Sequence, residues 1–240
     1  MRHEGLSGAG FKVSEMVVTK WTRGPEDIAL LKRGCEKQSE ERIKHQLEPV
    51  RTIPIWSFIE EDDFFSFDMP NMNHLESGFT GFTTDLVPDL VESFRNRSKN
   101  MRFGFKTSIK KELLRFKNSK YKTKILDKLD TCPDCYPSGY YHGDMGFANM
   151  MVEDGRIYMI DFSDSFIDSP LVDIASMFLS LSSPLATTLH SATVVQIVYK
   201  LKYDLRQIDV IAMTKILSYF RDDDNEERKL ELEQLFNGFL

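Results

Sequence analysis

The chain has 240 residues, 41% of them apolar and 28% charged, the balance of an ordinary globular protein with a real core. Its net charge of −6 argues against a nucleic-acid partner, because phosphate backbones are met by basic surfaces. No apolar run approaches membrane-spanning length and MRHEGLSGAG lacks a signal peptide's apolar core, so no membrane association and a cytoplasmic location are expected.

In chain order, Phe11 to Val13 and Met16 to Trp21 read as a β-hairpin around Ser14-Glu15. Pro25-Glu26-Asp27 starts a helix, with a proline and two acids in the first turn. It is expected to run to about Gln46, with Ile28, Leu31, Cys35, Ile43 and Leu47 near one face. Ile53 to Glu60 and Phe64 to Met69 follow as strands joined at Glu61-Asp62-Asp63. The pattern then turns helical, over Leu86 to Phe94 and Ile109 to Leu129. Cys132-Pro-Asp-Cys135 has CxxC spacing, but tetrahedral zinc needs two further ligands and no second CxxC or HxxxH exists. The pair therefore reads as a surface turn with free thiols, in keeping with a reducing compartment. Four more helices are expected near Leu171–Leu181, Leu185–Leu201, Ile208–Phe220 and Glu226–Phe239, the last two separated by a solvated run at Arg221–Asn225. This order fits a two-lobed α+β enzyme, with a small β-rich N-terminal lobe at residues 1–70 and a helical C-terminal lobe at 71–240. A ligand is expected in the cleft between them.

The most informative stretch is His142 to Asp164, HGDMGFANMMVEDGRIYMIDFSD. Met150 to Val152 read as a strand, Glu153 to Arg156 as its turn, and Ile157 to Ile160 as the returning strand. Such a hairpin brings Asp161 back beside Asn149. Asp144, Asn149 and Asp161 then stand in the order that phosphoryl transfer from a nucleoside triphosphate uses. One carboxylate orients the acceptor hydroxyl, while an amide and a second carboxylate hold magnesium. Singly, an Asp or Asn beside a Gly is a turn residue; the joint occurrence carries the reading.

HGDxxxxN, a hairpin and IDFxD together resemble the catalytic segment of aminoglycoside phosphotransferases and choline kinases, which share the protein-kinase-like fold. Protein kinases place an Arg where this chain has Gly143, which favours the small-molecule branch over a protein kinase. The continuation DSFIDSPLVDIASM resembles the helix-opening segment that follows in those enzymes. IDFSDSFIDSPLVDIA is similar to uncharacterised phosphotransferase-like proteins of polysaccharide-synthesis settings. The likeness is strong over Tyr141 to Met177, holds in outline over the first seventy residues, and fades over the last sixty.

The resemblance implies an ATP- or GTP-dependent kinase that uses magnesium and phosphorylates a small-molecule hydroxyl, with a sugar or sugar-like alcohol as the expected acceptor. It assigns Asp144 as the base and Asn149 and Asp161 as metal ligands. Lys20, in the apolar strand MVVTKW, becomes the lysine on the α- and β-phosphates, paired with a helix glutamate: Glu36, with Glu40 in reserve. The glycines of GLSGAG, Gly8 and Gly10 among them, would lay backbone N–H groups over phosphates, although the run does not match a P-loop. Met69, Asn71 and Met72 fall at the interlobe crossover, where backbone groups meet the base and apolar side chains flank it; the methionines read equally as core. His142 is expected to buttress the loop. Asp164 reads as a cap or a second magnesium contact, Asp168 as a turn residue, and Asp173 as a helix-terminal stabiliser or a brace on the catalytic loop. The rival reading is a nucleotide-binding pseudokinase with a regulatory role.

Overall fold

The structure, a computed structural model, describes residues 2–4, 10–44, 46–71, 76–116, 120–222 and 226–239. Its first elements are β1 (Arg2–Glu4), β2 (Gly10–Val13), β3 (Val17–Thr22), α1 (Pro25–Lys44), β4 (Arg51–Thr52), β5 (Ser57–Glu61) and β6 (Phe64–Pro70). Next come β7 (Glu76–Ser77), α2 (Gly78–Gly81), α3 (Val87–Arg97), β8 (Ser98–Phe103), α4 (Phe105–Leu113), α5 (Lys120–Asp130) and β9 (Cys135–Gly139). The chain ends with β10 (Met150–Glu153), β11 (Arg156–Met159), α6 (Leu171–Ser180), α7 (Thr188–Leu201), α8 (Leu205–Asp222) and α9 (Glu226–Asn237). Among the described residues, no helix is long and apolar enough to cross a membrane.

Two compact units result: residues 1–96 with 142–164, and residues 97–141 with 165–240. These units are set by packing and do not follow a boundary at residue 70. In the first unit, an antiparallel sheet runs β1-β2-β3-β6-β5. The strand expected over Phe64 to Met69 is present as β6, and Phe65, Phe67 and Met69 cluster with Cys35 of α1 and Ile53. Burial of side chains this size contributes about 1.5–3 kcal/mol each, so this cluster holds α1 on the sheet. A second sheet, ordered β4-β11-β10-β7, belongs to the same unit. Here β4 runs parallel to β11, with Arg51 opposite Tyr158 and Thr52 opposite Met159. The hairpin of the 142–164 segment is thereby sewn to residues that follow α1.

The second unit is helical apart from the antiparallel pair β8–β9. Every residue from Leu171 to Met177 in α6 is buried, and α8 contributes Ile208, Val210, Ile211, Ala212, Met213, Ile216 and Leu217 to the core. Where one helix was expected over Ile109 to Leu129, the structure has α4 and α5. Helix α7 starts at Thr188, later than its apolar pattern suggested, because Thr187 and His190 close a capping box there.

Candidate active site

The hairpin that carries the site turns on two residues. Asp154 and Gly155 both have positive φ, 46° and 69°, the type I′ geometry whose twist matches that of the flanking strands. Met150 therefore pairs with Met159, and Glu153 with Arg156. One step beyond the ladder the Ile160 N–H donates to the Asn149 carbonyl at 3.2 Å. Asn149 and Asp161 are thus brought to the same end of one hairpin.

The loop before it is folded onto the segment after it. The Ser163 N–H donates to the His142 carbonyl at 3.0 Å. Gly143 has φ +98°, and a Cβ there would lie 2.1 Å from the Ser163 carbonyl oxygen, so only glycine fits. His142 is fully buried. Its Nδ1 accepts the Asp144 N–H at 3.2 Å, so its proton sits on Nε2, which donates to the Ile160 carbonyl at 2.8 Å. The imidazole is a strut between Asp144 and the strand that leads to Asp161, and Phe162 packs on its ring at 4.1 Å.

Two polar pairs form here, Asp144 with Asn149 and Asp161 with Lys20. Asn149 Nδ2 donates to the Asp144 carbonyl at 2.8 Å and to Asp144 Oδ2 at 3.0 Å. With its N–H groups so committed, the amide keeps Oδ1 for another electrophile, and no donor among the described residues reaches that oxygen. Asp161 adopts φ +65°. Its Oδ1 accepts from the ammonium of Lys20, a residue with only 4% of its surface exposed. Lys20 lies opposite Phe67 in the sheet. Asp161 Oδ2 and Asn149 Oδ1 are hard oxygen donors, a set that fits magnesium, which binds through one or two protein oxygens and completes its shell with water and phosphate.

The other expected residues are placed as follows. Glu36 is exposed on α1, where its charge raises the Lys32 and Cys35 pKa values after larger hydrogen-bonding and burial effects, respectively. Gly8 and Met72 lie outside the described residues. Gly10 is a strand residue opposite Trp21, and a Cβ there would stand 2.3 Å from the indole, so its observed task is packing. Met69 spends its side chain in the sheet core. Asn71 is buried, its amide donating to the carbonyls of Ser14 and Glu15 and its backbone N–H to the Met16 carbonyl at 2.8 Å. Asp164 pairs with Arg33 of α1 at 2.7 Å, both half-exposed. Asp168 lies 3.8 Å from Arg102, and its carbonyl accepts the Gly139 N–H at 3.3 Å. Asp173 stands in the first turn of α6, fully buried and ion-paired with Arg97. Cys132 is buried as well, where a surface turn was expected, because its side chain closes the end of α5 and bonds the Lys128 carbonyl. Sequence reasoning passed over Lys37, whose Nζ donates to the Ser163 carbonyl at 2.9 Å. The four-residue spacing of Arg33 and Lys37 on α1 was the available signal.

Residues 94–196 match the Phosphotransferase enzyme family. Among solved structures, a thermostable mutant of aminoglycoside phosphotransferase APH(4)-Ia is similar at 12% identity and a TM-score of 0.63, over 99% of this chain and 94% of that one. A putative fructosamine-3-kinase from Haemophilus somnus 129PT is similar at 14% identity and a TM-score of 0.60, over 100% and 91%. Spectinomycin phosphotransferase APH(9)-Ia, solved with ADP and spectinomycin, is similar at 14% identity and a TM-score of 0.58, over 99% and 88%. No curated protein sequence matches the chain. The fold is therefore the protein-kinase-like α+β fold of these phosphotransferases.

Proposed function

From a chain with the central segment and the fold of a small-molecule phosphotransferase, we propose that it moves the γ-phosphoryl group of ATP, with magnesium, to a hydroxyl of a small molecule. A sugar or sugar-like alcohol is the acceptor class proposed. The observation that carries this reading is that one hairpin end brings Asn149, paired with Asp144, to the same end as Asp161, paired with Lys20, within one compact unit. Asp144, oriented by the Asn149 amide, accepts a hydrogen bond from the acceptor hydroxyl and takes its proton as the new P–O bond forms. Asn149 Oδ1 and the Asp161 carboxylate hold magnesium, which when bound neutralises charge on the phosphate oxygens. Lys20 brings its charge to the α- and β-phosphates, with Glu36 proposed to orient it.

Residues 1–70 are proposed as the nucleotide lobe, with Gly8 and Gly10 near the phosphates and the backbone of Met69 to Asn71 at the base. Residues 71–240 supply the acceptor site. Adenine is favoured because APH(4)-Ia and APH(9)-Ia were each solved with ADP, and dependence on ATP suits a cytoplasmic protein. The test is ATP consumption with magnesium across sugars, amino alcohols and aminoglycosides, with a generic protein as control. Turnover on one small-molecule class supports the reading. Nucleotide binding without turnover on any acceptor would favour a regulatory pseudokinase instead.

A further inference from the structure

The Lys20 ammonium holds one oxygen of Asp161, but the side chain is 44% exposed, so its backbone also decides where the carboxylate points. Its φ of +65° is one that non-glycine residues keep only when neighbouring contacts impose it. Those contacts come from two sides. On one, His142 and Gly143 take the Ile160 carbonyl, the Ser163 N–H and the close approach of the Ser163 carbonyl. On the other stands α1. A Cβ on Gly34 would lie 2.4 Å from the Phe162 carbonyl oxygen, so α1 rests directly on the residue after Asp161. One turn along, Lys37 Nζ donates to the Ser163 carbonyl at 2.9 Å. That carbonyl is thus gripped between Gly143 and a partly buried ammonium. Arg33 on Asp164 is half-exposed, and such surface pairs contribute little, at most about 1 kcal/mol.

The geometry points to Lys37, with Gly34 beside it, as a positioning residue that fixes the backbone of residues 161–163 and so aims the Asp161 carboxylate at the metal. This rests on the reading of Asp161 as a magnesium ligand. Lys37 touches no substrate; its effect travels through the Ser163 carbonyl. Interactions that orient a metal ligand in this way typically control affinity about 10- to 100-fold.

The test compares wild type, Lys37→Met, Lys37→Arg, Gly34→Ala and Asp161→Asn by calorimetry of ADP binding, in excess magnesium and in chelator, together with melting temperature. Lys37→Met keeps the aliphatic stem, so the protein stays folded, while ADP affinity in magnesium falls about 10-fold and affinity in chelator is unchanged. Lys37→Arg, which keeps a cationic donor, restores most of the loss. Gly34→Ala pushes on the same segment without altering charge and gives the same metal-specific loss, so a Lys37→Met protein that fails to fold leaves this second variant to decide. Wild-type magnesium dependence in both Lys37→Met and Gly34→Ala, or an equal loss with and without magnesium, overturns the positioning role alone, provided Asp161→Asn has lost its magnesium dependence. ADP binding by wild type that ignores magnesium, or an Asp161→Asn protein that keeps the response, overturns the reading of Asp161 and the inference with it.

Discussion

The Asp144 carboxylate is the group proposed to take the acceptor's proton. It is partly exposed, and its neighbour Asn149 donates to it while the backbone N–H of Asp144 is tied to His142. An asparagine at this position would still offer an oxygen to Asn149, so the local hydrogen bonds survive while the basic oxygen is lost. Asp144→Asn is therefore expected to melt within a few degrees of wild type and to lose about two to four orders of magnitude in kcat. Steady-state turnover beside a melting curve checks this, and undiminished turnover would remove Asp144 as the base. Gly143 is constrained differently. Because a Cβ there meets the Ser163 carbonyl at 2.1 Å, Gly143→Ala must displace the loop, the segment Asp161 to Ser163, or both. The outcome expected is loss of activity together with loss of stability, measured as a lowered urea midpoint, whereas Asp144→Asn loses activity alone.

At the scale of elements, the legible parts were those with a strong local signal. The hairpin at Met150 to Met159 was visible because short apolar runs flank Asp154-Gly155, a pair that accepts positive φ. The glycine at residue 143 could be read as a branch marker, but its contact with Ser163 could not, since the two are far apart in sequence. The pair β8–β9 was missed for a physical reason. Lys99 to Phe103 are exposed in the structure, so they show no inward-outward alternation, and β9 contains Pro137, which reads as a strand breaker. Asp173 could be seen to open a helix, yet its partner Arg97 is distant in sequence and became visible only in three dimensions. That pair ties the last residue of α3 to the first turn of α6 with both side chains fully buried. Removing one partner strands a charge, so Asp173→Ala should cost about 3–5 kcal/mol in urea unfolding. Replacing both, as Arg97→Met with Asp173→Leu, should recover most of that loss. A double variant as unstable as the single one would show that the charges themselves, not their pairing, support this junction.

Each compact unit also buries one thiol, which makes the molecule's response to alkali calculable. Cys35 lies in the first unit and Cys132 in the second. Burial, helped by the neighbouring charges of Glu36 and Asp204, pushes each from 9.0 up to about 11. A group whose folded pKa is raised contributes stability that is complete below its unfolded value and vanishes as pH climbs through the folded one. Stability should therefore hold level through neutral pH and decline between about pH 9 and pH 11, by at most roughly 2–3 kcal/mol per thiol. Tyr203, raised from 10.0 chiefly by burial, adds a decline of the same sign at the upper end. At the acid side the sign reverses: Asp204 is held below its ordinary value by the Arg206 hydrogen bond, so its contribution is present near neutrality and fades as acid protonates it. Urea midpoints measured from pH 7 to 11 test the alkaline limb, and Cys35→Val with Cys132→Val should flatten it. The same burial predicts the order of labelling by a thiol reagent at neutral pH. Cys135, less buried at the start of β9, should react first, while Cys35 and Cys132 react only at the rate at which their units open. Rapid labelling of Cys132 in native protein, or an alkaline limb untouched by the double substitution, would mean that these sulfurs are not enclosed as the packing has them.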